Sequence, residues 1–188
     1  MPPTLSILIC SLHERLRMLN RLQNILRPQL GPPVEVLVRT DGGEESIGRK
    51  RQRLLEAARG EYVAFVDDDD TVSANYVALI IAAVASKPDV VGITGIYHEN
   101  GLRKKPFIHT IACEAWHETR QAYMRYPNHL NPVRREHALA VGFADMNHGE
   151  DKHYADLLKT AGLCKTQVAI DPPIYNYLYN HKTSRSKK

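Results

Sequence analysis

Hydrophobic residues in the first hundred positions form short continuous runs that alternate with stretches of helical spacing. Residues 5–10 and 34–40 are rich in Val, Ile and Leu, and these runs predict two strands. The segment between them predicts a helix that should stop near Arg27, because Pro28 disfavours helical backbone in the residue before it. The apolar positions of this helix are Leu12, Leu16, Leu19, Leu22, Ile25 and Leu26.

The same alternation continues to the middle of the chain. Residues 47–58 predict a second helix closed by Gly60, residues 62–66 a third strand and residues 90–97 a fourth. Ser73 is expected to cap a third helix between the last two strands. Strands that alternate with helices predict an α/β fold with a mostly parallel sheet covered on both faces.

The second half of the chain has a weaker pattern. Residues 98–135 mix aromatic, basic and apolar side chains and predict only short strands or loops. A helix should begin near Gly149 and end at Gly162, and two further strands should flank the pair Pro172-Pro173. The chain is therefore expected to form one compact domain.

Composition and charge narrow the class of protein. The chain has 188 residues, 43% of them hydrophobic and 24% charged, which suits a globular domain. A net charge of +4 is compatible with an anionic partner such as a nucleoside diphosphate or nucleic acid. Three widely spaced cysteines favour a reducing, cytoplasmic location, and the apolar runs are too short for a membrane span.

Four consecutive carboxylates, Asp67 to Asp70, directly follow the third strand. Open α/β sheets bind ligands at the carboxyl ends of their strands, so this position marks a candidate site. Like charges this close raise one another's pKa unless a cation lies among them. We therefore expect a hard divalent cation, Mn²⁺ or Mg²⁺, which could bridge to a diphosphate. An exposed acidic turn that caps the next helix is the simpler alternative.

Two helix starts carry charged residues that suit a reaction site. Gly48, Arg49, Lys50 and Arg51 open the second helix, where cations beside free backbone N–H groups form a phosphate-binding arrangement. A solvated basic helix face would have the same sequence. The late helix opens with Glu150 and Asp151, where the helix dipole keeps a carboxylate ionised and able to accept a proton. An ordinary acidic first turn is the alternative there.

Taken together, these motifs resemble glycosyltransferase family 2, the inverting enzymes of the GT-A fold. The matching segments, in chain order, are SILICSLHER, EVLVRTDGG, SIGRKRQRLLEAARGEYVAFVDDDD with its DXD motif, HGEDKHYADLL and YNHKTS. The resemblance implies a mostly parallel central sheet flanked by helices, with a smaller mixed region on the acceptor side. Residues 1–97 would form the nucleotide-sugar-binding half, and residues 98–188 the half that binds the acceptor and carries the catalytic base.

The resemblance also implies a reaction and roles for single residues. The enzyme would be metal-dependent and would move a sugar, with inversion, from a nucleoside diphosphate, most simply a UDP-sugar, to a hydroxyl acceptor. Asp151 would be the general base, and Asp41 would accept a hydrogen bond from N3–H of the nucleotide base. The nucleotide-sugar site would comprise Ser11, Asp41, Lys50, Arg51, Asp67, Asp68 and Glu150. The Mn²⁺ or Mg²⁺ would be held by Asp67, Asp69 and His181.

Two other functions are compatible with the same residues. Asp67, Asp69 and Thr71 fit the D-x-D-x-T pattern of haloacid-dehalogenase-type phosphatases, although that motif normally ends the first strand. The basic residues at 49–53 and 134–135, with the basic tail, would suit a nucleic-acid-binding module without catalysis. A glycosyltransferase that acts on a modified base in DNA would combine sugar transfer with nucleic-acid binding.

Overall fold

The computed structural model describes residues 2–181, and within them it contains ten strands and five α-helices. The strands are β1 (Leu5–Leu12), β2 (Val34–Asp41), β3 (Tyr62–Phe65), β4 (Thr71–Val72), β5 (Val90–Glu99), β6 (Leu102–His109), β7 (His117–Glu118), β8 (Tyr123–Arg125), β9 (Val133–Arg134) and β10 (Gln167–Tyr179). The helices are α1 (Leu16–Leu26), α2 (Ile47–Ala57), α3 (Tyr76–Val84), α4 (Arg135–Val141) and α5 (Glu150–Thr160). None of these helices has the length and hydrophobicity that a membrane span needs.

All ten strands belong to one mixed sheet whose main path runs β2-β1-β3-β9-β5-β6-β8-β7. β1 pairs in parallel with β2 and β3, and β10 pairs in parallel with β5. The two-residue strand β9 is antiparallel to its neighbours and joins these two parallel groups, because Val133 pairs with both Val63 and Val90. The predicted α/β fold is thus confirmed, with antiparallel pairing concentrated in the second half.

Two hydrophobic clusters cover the two faces of the sheet. Successive side chains of a strand point to opposite faces, and β1 divides its residues accordingly. Leu5, Ile7 and Ile9 pack in a cluster with α1 and α3, whereas Leu8 and Cys10 pack in a second cluster with α2, α4 and α5. All of β1 is buried, which fixes the strand in the centre of the domain and holds its carboxyl end in place.

The ends of three helices test the capping predictions. Gly162 follows α5 with a φ of 62°, as predicted. Helix α2 instead ends in extended backbone, and Gly60 is needed for space, since a Cβ there would lie 2.6 Å from the backbone N of Ser6. Ser73 does not cap α3, because Asn75 holds the N-cap position and Ser73 Oγ donates to Asn75 Oδ1 at 2.7 Å.

The second half is more regular than its sequence pattern predicts. β5 and β6 form an antiparallel hairpin whose turn residues, Asn100 and Gly101, both have positive φ, as a tight hairpin turn requires. The Asn-Gly pair is itself a turn signal, but the strand after it is not evident from the sequence, because residues 103–105 are all basic. Helix α4 was not predicted either. β5 spans the boundary expected at residue 97, so both halves share the sheet.

Candidate functional site

A cavity of about 480 Å³ opens at the carboxyl ends of β1 and β3, the edge where the sequence predicts ligand binding. The acidic loop, residues 67–70, follows β3 and forms part of its wall. The cavity brings together most of the predicted site residues: Ser11, Lys50, Arg51, Asp67, Asp68, Asp69, Glu150 and Asp151. Within residues 2–181, Asp41 and His181 are the predicted site residues that do not line it.

Arg51 is a buried cation that links the acidic loop to α5. Its Nη2 donates to Asp67 Oδ1 at 2.9 Å, and its Nε donates to Glu150 Oε1 at 3.3 Å. The second oxygen of Asp67 lies 3.3 Å from His129 Nε2. Burial by itself would raise the pKa of Asp67, but Arg51 and His129 hold it below its ordinary value. Asp67 is therefore ionised, with both oxygens engaged by the protein.

Asp68 and Asp69 share one cation. Arg15 Nη2 lies 3.0 Å from Asp68 Oδ1 and 2.5 Å from Asp69 Oδ2, and Ser11 Oγ donates to Asp68 Oδ2 at 2.6 Å. Burial nevertheless raises the pKa of Asp68 to about 6, and burial also raises the pKa of Asp69. A single guanidinium thus leaves this part of the loop with more negative charge than its surroundings neutralise.

Asp70 serves a different purpose, because it anchors the acidic loop to β10. Tyr175 Oη donates to Asp70 Oδ2 at 2.8 Å and accepts from the backbone N–H of Asp67 at 3.1 Å. The backbone N–H of Leu178 donates to Asp70 Oδ1 at 2.7 Å. Burial, together with the neighbouring carboxylates, raises the pKa of Asp70 well above its ordinary value. These bonds fix the path of the loop that carries the other three carboxylates.

Two predicted donor-site residues are paired with each other. Lys50 Nζ donates to Asp41 Oδ1 at 2.6 Å and to the carbonyl of Ser11 at 3.3 Å. The other oxygen of Asp41 accepts the backbone N–H of Glu45 at 2.9 Å. Lys50 lines the cavity. Asp41 does not line it, but its bond to Lys50 orients the ammonium group of that residue.

The prediction of free backbone N–H groups at the start of α2 is wrong, because these groups already have acceptors. The first three donate to Asn147 Oδ1, Met146 O and Ser46 Oγ at 3.2, 3.1 and 3.1 Å. The loop that supplies two of these oxygens packs so closely that a Cβ at Gly48 would lie 1.9 Å from the carbonyl oxygen of Ala144. Gly48 therefore serves the docking of this loop onto α2.

Asp151 lies in the first turn of α5, at the junction of two cavities. A second cavity of about 360 Å³ adjoins the first, and Asp151, His129 and Tyr177 line both. Within residues 2–181, Asp151 has neither a salt bridge nor a side-chain hydrogen bond, in contrast to the buried Glu150 beside it. A carboxylate that is free of partners and close to N–H donors at a helix start can accept a proton from a ligand.

His181 is not brought to the acidic loop. Its Nε2 lies 3.2 Å from Glu99 Oε1, and its backbone N–H donates to Asn100 Oδ1 at 3.1 Å. The described part of the chain contains no group of three or more His, Cys, Asp or Glu side chains arranged to hold a metal ion. The rest of the YNHKTS segment and the basic tail fall outside the described residues.

Three residues of the site were not among the predicted ones. Arg15 lies in the segment that follows β1, so its strand-end position was a usable signal. His129 and Tyr175 reach the acidic loop from positions 62 and 108 residues away, and no motif spacing connects them to it. The sequence shows which residues these are, but only the folded arrangement of the sheet brings them next to the acidic loop.

Comparisons with known proteins bear on the family and the fold. The model of the family described as Glycosyl transferase family 2 matches residues 14–148. Among solved structures, residues 1–349 of S. aureus TarS superpose with a TM-score of 0.68 at 15% identity, covering 93% of this chain and 60% of that one. The same fragment in complex with UDP-GlcNAc gives a TM-score of 0.67 at 14% identity, covering 93% and 58%. Its complex with UDP gives 0.68 at 15% identity, covering 93% and 60%.

The solved structures share the GT-A fold with this chain, which spans about 60% of the length of the TarS fragment. At such low identity the likeness concerns the fold alone. No curated protein matches the sequence.

Proposed function

The chain belongs to glycosyl transferase family 2, and on this premise we propose that it is a metal-dependent inverting enzyme that moves a sugar from a UDP-sugar to a hydroxyl acceptor. The observation that carries the proposal is the convergence of the acidic loop, residues 67–70, and the carboxylate of Asp151 on one cavity at the strand ends. The TarS complexes with UDP and UDP-GlcNAc support the choice of uracil as the base.

The residues of the acidic loop suit a divalent cation. Carboxylate oxygens are the ligands that Mn²⁺ and Mg²⁺ prefer, and Asp68 and Asp69 share the single guanidinium of Arg15, which balances only one of their two charges. Asp67 is committed to Arg51 and His129, so Asp68 and Asp69 would hold the cation. When bound, such an ion stabilises the negative charge of a departing diphosphate.

On the donor side, the protein's own cations position the acidic residues. Arg51 holds Asp67 and Glu150, and Lys50 lies between Asp41 and the end of β1. Ser11 lines the cavity and is a contact for the base or ribose. Asp41 pairs with Lys50 at 2.6 Å and does not itself line the cavity, so its contact with N3–H of the base stays a prediction.

On the acceptor side, Asp151 would act as the general base. The acceptor oxygen attacks the anomeric carbon as its proton moves to Asp151, and the bond from that carbon to the diphosphate oxygen breaks. A single displacement of this kind inverts the anomeric configuration and needs no enzyme nucleophile. The position of Asp151 at the junction of both cavities supports this role.

A thermal-shift screen tests the proposal directly. UDP, GDP, CDP and dTDP and their sugars would be added with Mn²⁺, with Mg²⁺ or with EDTA. A ligand that binds only the native state raises Tm, so UDP with Mn²⁺ should raise Tm and UDP with EDTA should not. If no nucleotide raises Tm with either metal, the proposed function is wrong. Release of UDP, with hydroxylated sugars or hydroxymethylated DNA as acceptors, then identifies the reaction.

A further inference from the structure

The second cavity has a lining unlike that of the first. It has a volume of about 360 Å³ and is lined mainly by aromatic side chains from four strands. Phe107 of β6 forms part of it, and Gly95 of β5 makes room for that ring, since a Cβ there would lie 2.1 Å from a Phe107 ring carbon. The tyrosines of this lining, here called the tyrosine cleft, are Tyr97, Tyr123, Tyr177 and Tyr179.

The four tyrosines form one continuous cluster. The Tyr97 ring is near-parallel to those of Tyr177 and Tyr179, with centroids 5.7 and 6.4 Å apart, and meets Tyr123 edge-on at 5.4 Å. The pairing of β10 with β5 sets Tyr177 directly opposite Tyr97. All four side chains are half-buried, so they belong neither to the core nor to a fully solvated surface.

The hydroxyl groups of the cluster are available to a ligand. Within residues 2–181, none of the four has a hydrogen-bond partner, and none is a buried polar atom. Burial raises the pKa of both Tyr97 and Tyr177, so these phenols stay neutral at physiological pH. A neutral phenol both donates and accepts hydrogen bonds, and its ring gives apolar contact, which matches a ligand with hydroxyl groups on an apolar frame.

The charge of the cleft is balanced. Arg125 and Asp151 line it, the Lys105 ammonium that lies over the Tyr123 ring is paired with Glu118, and burial lowers the pKa of His109 to about 3, which keeps that ring neutral. The described part of the chain is balanced as well, because four of the 25 Lys and Arg residues lie at 182–188 and leave 21 of each sign. A nucleic acid needs a row of cations for its phosphates, which this cleft does not offer.

From these observations we propose that the tyrosine cleft is the acceptor subsite and that it takes a neutral ring sugar, whose hydroxyl is presented to Asp151. This inference rests on the proposed function, and it adds the chemical class of the acceptor. The near-parallel rings already lie against one another, so a flat base would have to push them apart.

Binding of the acceptor can be tested without any transfer. Saturation-transfer NMR would use methyl glucopyranoside, methyl galactopyranoside and maltose on the full chain carrying Asp151→Asn, with glycerol and a hydroxymethylcytosine oligonucleotide as competing classes. A second protein with Tyr97→Leu, and a third with Tyr97→Phe, would be compared with Leu102→Ala, a change at an exposed position outside the cleft. Circular dichroism and the UDP-induced Tm shift verify that each variant is folded.

We expect a saturable signal from at least one pyranoside. The affinity for that pyranoside should fall by about tenfold in Tyr97→Leu, by less in Tyr97→Phe and not at all in Leu102→Ala. In transfer assays on proteins that retain Asp151, the same Tyr97 changes should raise the acceptor KM and leave the UDP affinity unchanged. Binding of glycerol or the oligonucleotide alone, no binding of any pyranoside, or equal affinity in Tyr97→Leu overturns the inference. If UDP still binds in those cases, the proposed function stands and only the acceptor class is wrong.

Discussion

Arg15 lies between two carboxylates of the acidic loop, with Nη2 at 3.0 Å from Asp68 Oδ1 and 2.5 Å from Asp69 Oδ2. If a divalent cation binds the same two carboxylates, it must share the position with this guanidinium. Removing the positive charge should then strengthen the binding of Mn²⁺ alone by about fivefold or more. Arg15→Gln tests this by titration calorimetry without nucleotide.

The matched control for that titration is Arg49→Gln, since Arg49 is an exposed cation outside the cavity. Its Mn²⁺ affinity should equal that of the parent protein. Unchanged or weaker Mn²⁺ binding in Arg15→Gln would show that the metal does not lie between Asp68 and Asp69.

The metal proposal also predicts the effect of Asp69→Asn. The change keeps the size of the side chain and removes one charged ligand, so UDP should lose the part of its affinity that depends on Mn²⁺. Calorimetric titration of UDP with Mn²⁺ and with EDTA measures the difference. Asp171→Asn, at an exposed position of β10, should retain the full metal effect. Equal metal effects in both variants would remove Asp69 from the site.

Asp151→Asn separates binding from chemistry. The amide cannot accept the acceptor proton, so turnover should fall by about 10²-fold or more while UDP-sugar affinity is retained. Steady-state rates and donor titrations measure the two quantities. Asp156→Asn, one turn later on α5 and paired with Lys152, is the control and should keep its rate. Survival of turnover in Asp151→Asn would mean that another group is the base.

Tyr175→Phe should destabilise the fold, because its hydroxyl bonds Asp70 Oδ2 and the backbone N–H of Asp67. Loss of a hydrogen bond to a buried group costs about 1–3 kcal/mol. Urea unfolding at neutral pH measures this loss. Tyr123→Phe removes a hydroxyl that has no partner in residues 2–181, and its free energy of unfolding should match that of the parent. Similar values for both variants would contradict the anchoring role.

Asp89 makes the stability of the fold depend on pH in the acidic range. Burial alone would raise its pKa, but hydrogen bonds from Thr166, His137 and Lys165 lower the pKa from 3.8 to about 2. A folded pKa below the ordinary value means that the ionised group stabilises the protein above about pH 4 and that this contribution is lost toward pH 2. At pH 7, the free energy of unfolding of Asp89→Asn should be lower than that of the parent protein by about 1–2 kcal/mol after solvent screening.

The measurement for Asp89 is the difference between parent and variant in urea unfolding at pH 7 and pH 3. The difference should shrink at the lower pH. Asp156→Asn, at an exposed carboxylate, should give little difference at either pH. A gap for Asp89→Asn that is as large at pH 3 as at pH 7 would contradict the assignment.

The sequence predicts the first half of the fold well because its signals are local. β-branched runs, helical spacing and breaks at Pro28 are all read within a few residues, and the strand-end rule then points to the acidic loop. The prediction that the N–H groups at the start of α2 are free for a phosphate is wrong, because it considers only the residues of the helix itself. The loop that covers it comes from residues 144–147, almost a hundred positions later.

Other parts of the site depend on pairing that sequence spacing does not reveal. Tyr175 and Tyr177 meet the acidic loop and the tyrosine cleft because β10 inserts beside β5 in parallel register. That register includes shifts around Pro173, which displace the later residues relative to an ideal strand. A pattern of alternating side chains predicts which face a residue lies on, but not which distant strand lies next to it.

The bond from the Leu178 backbone to Asp70 sets a lower limit on any shortened version of this chain. A fragment cut before Leu178 would retain the whole first half, but the buried carboxyl of Asp70 would lose its backbone N–H donor. Expression trials that trim the carboxyl terminus, or reporters that split the chain in two, should therefore keep β10 intact through that residue.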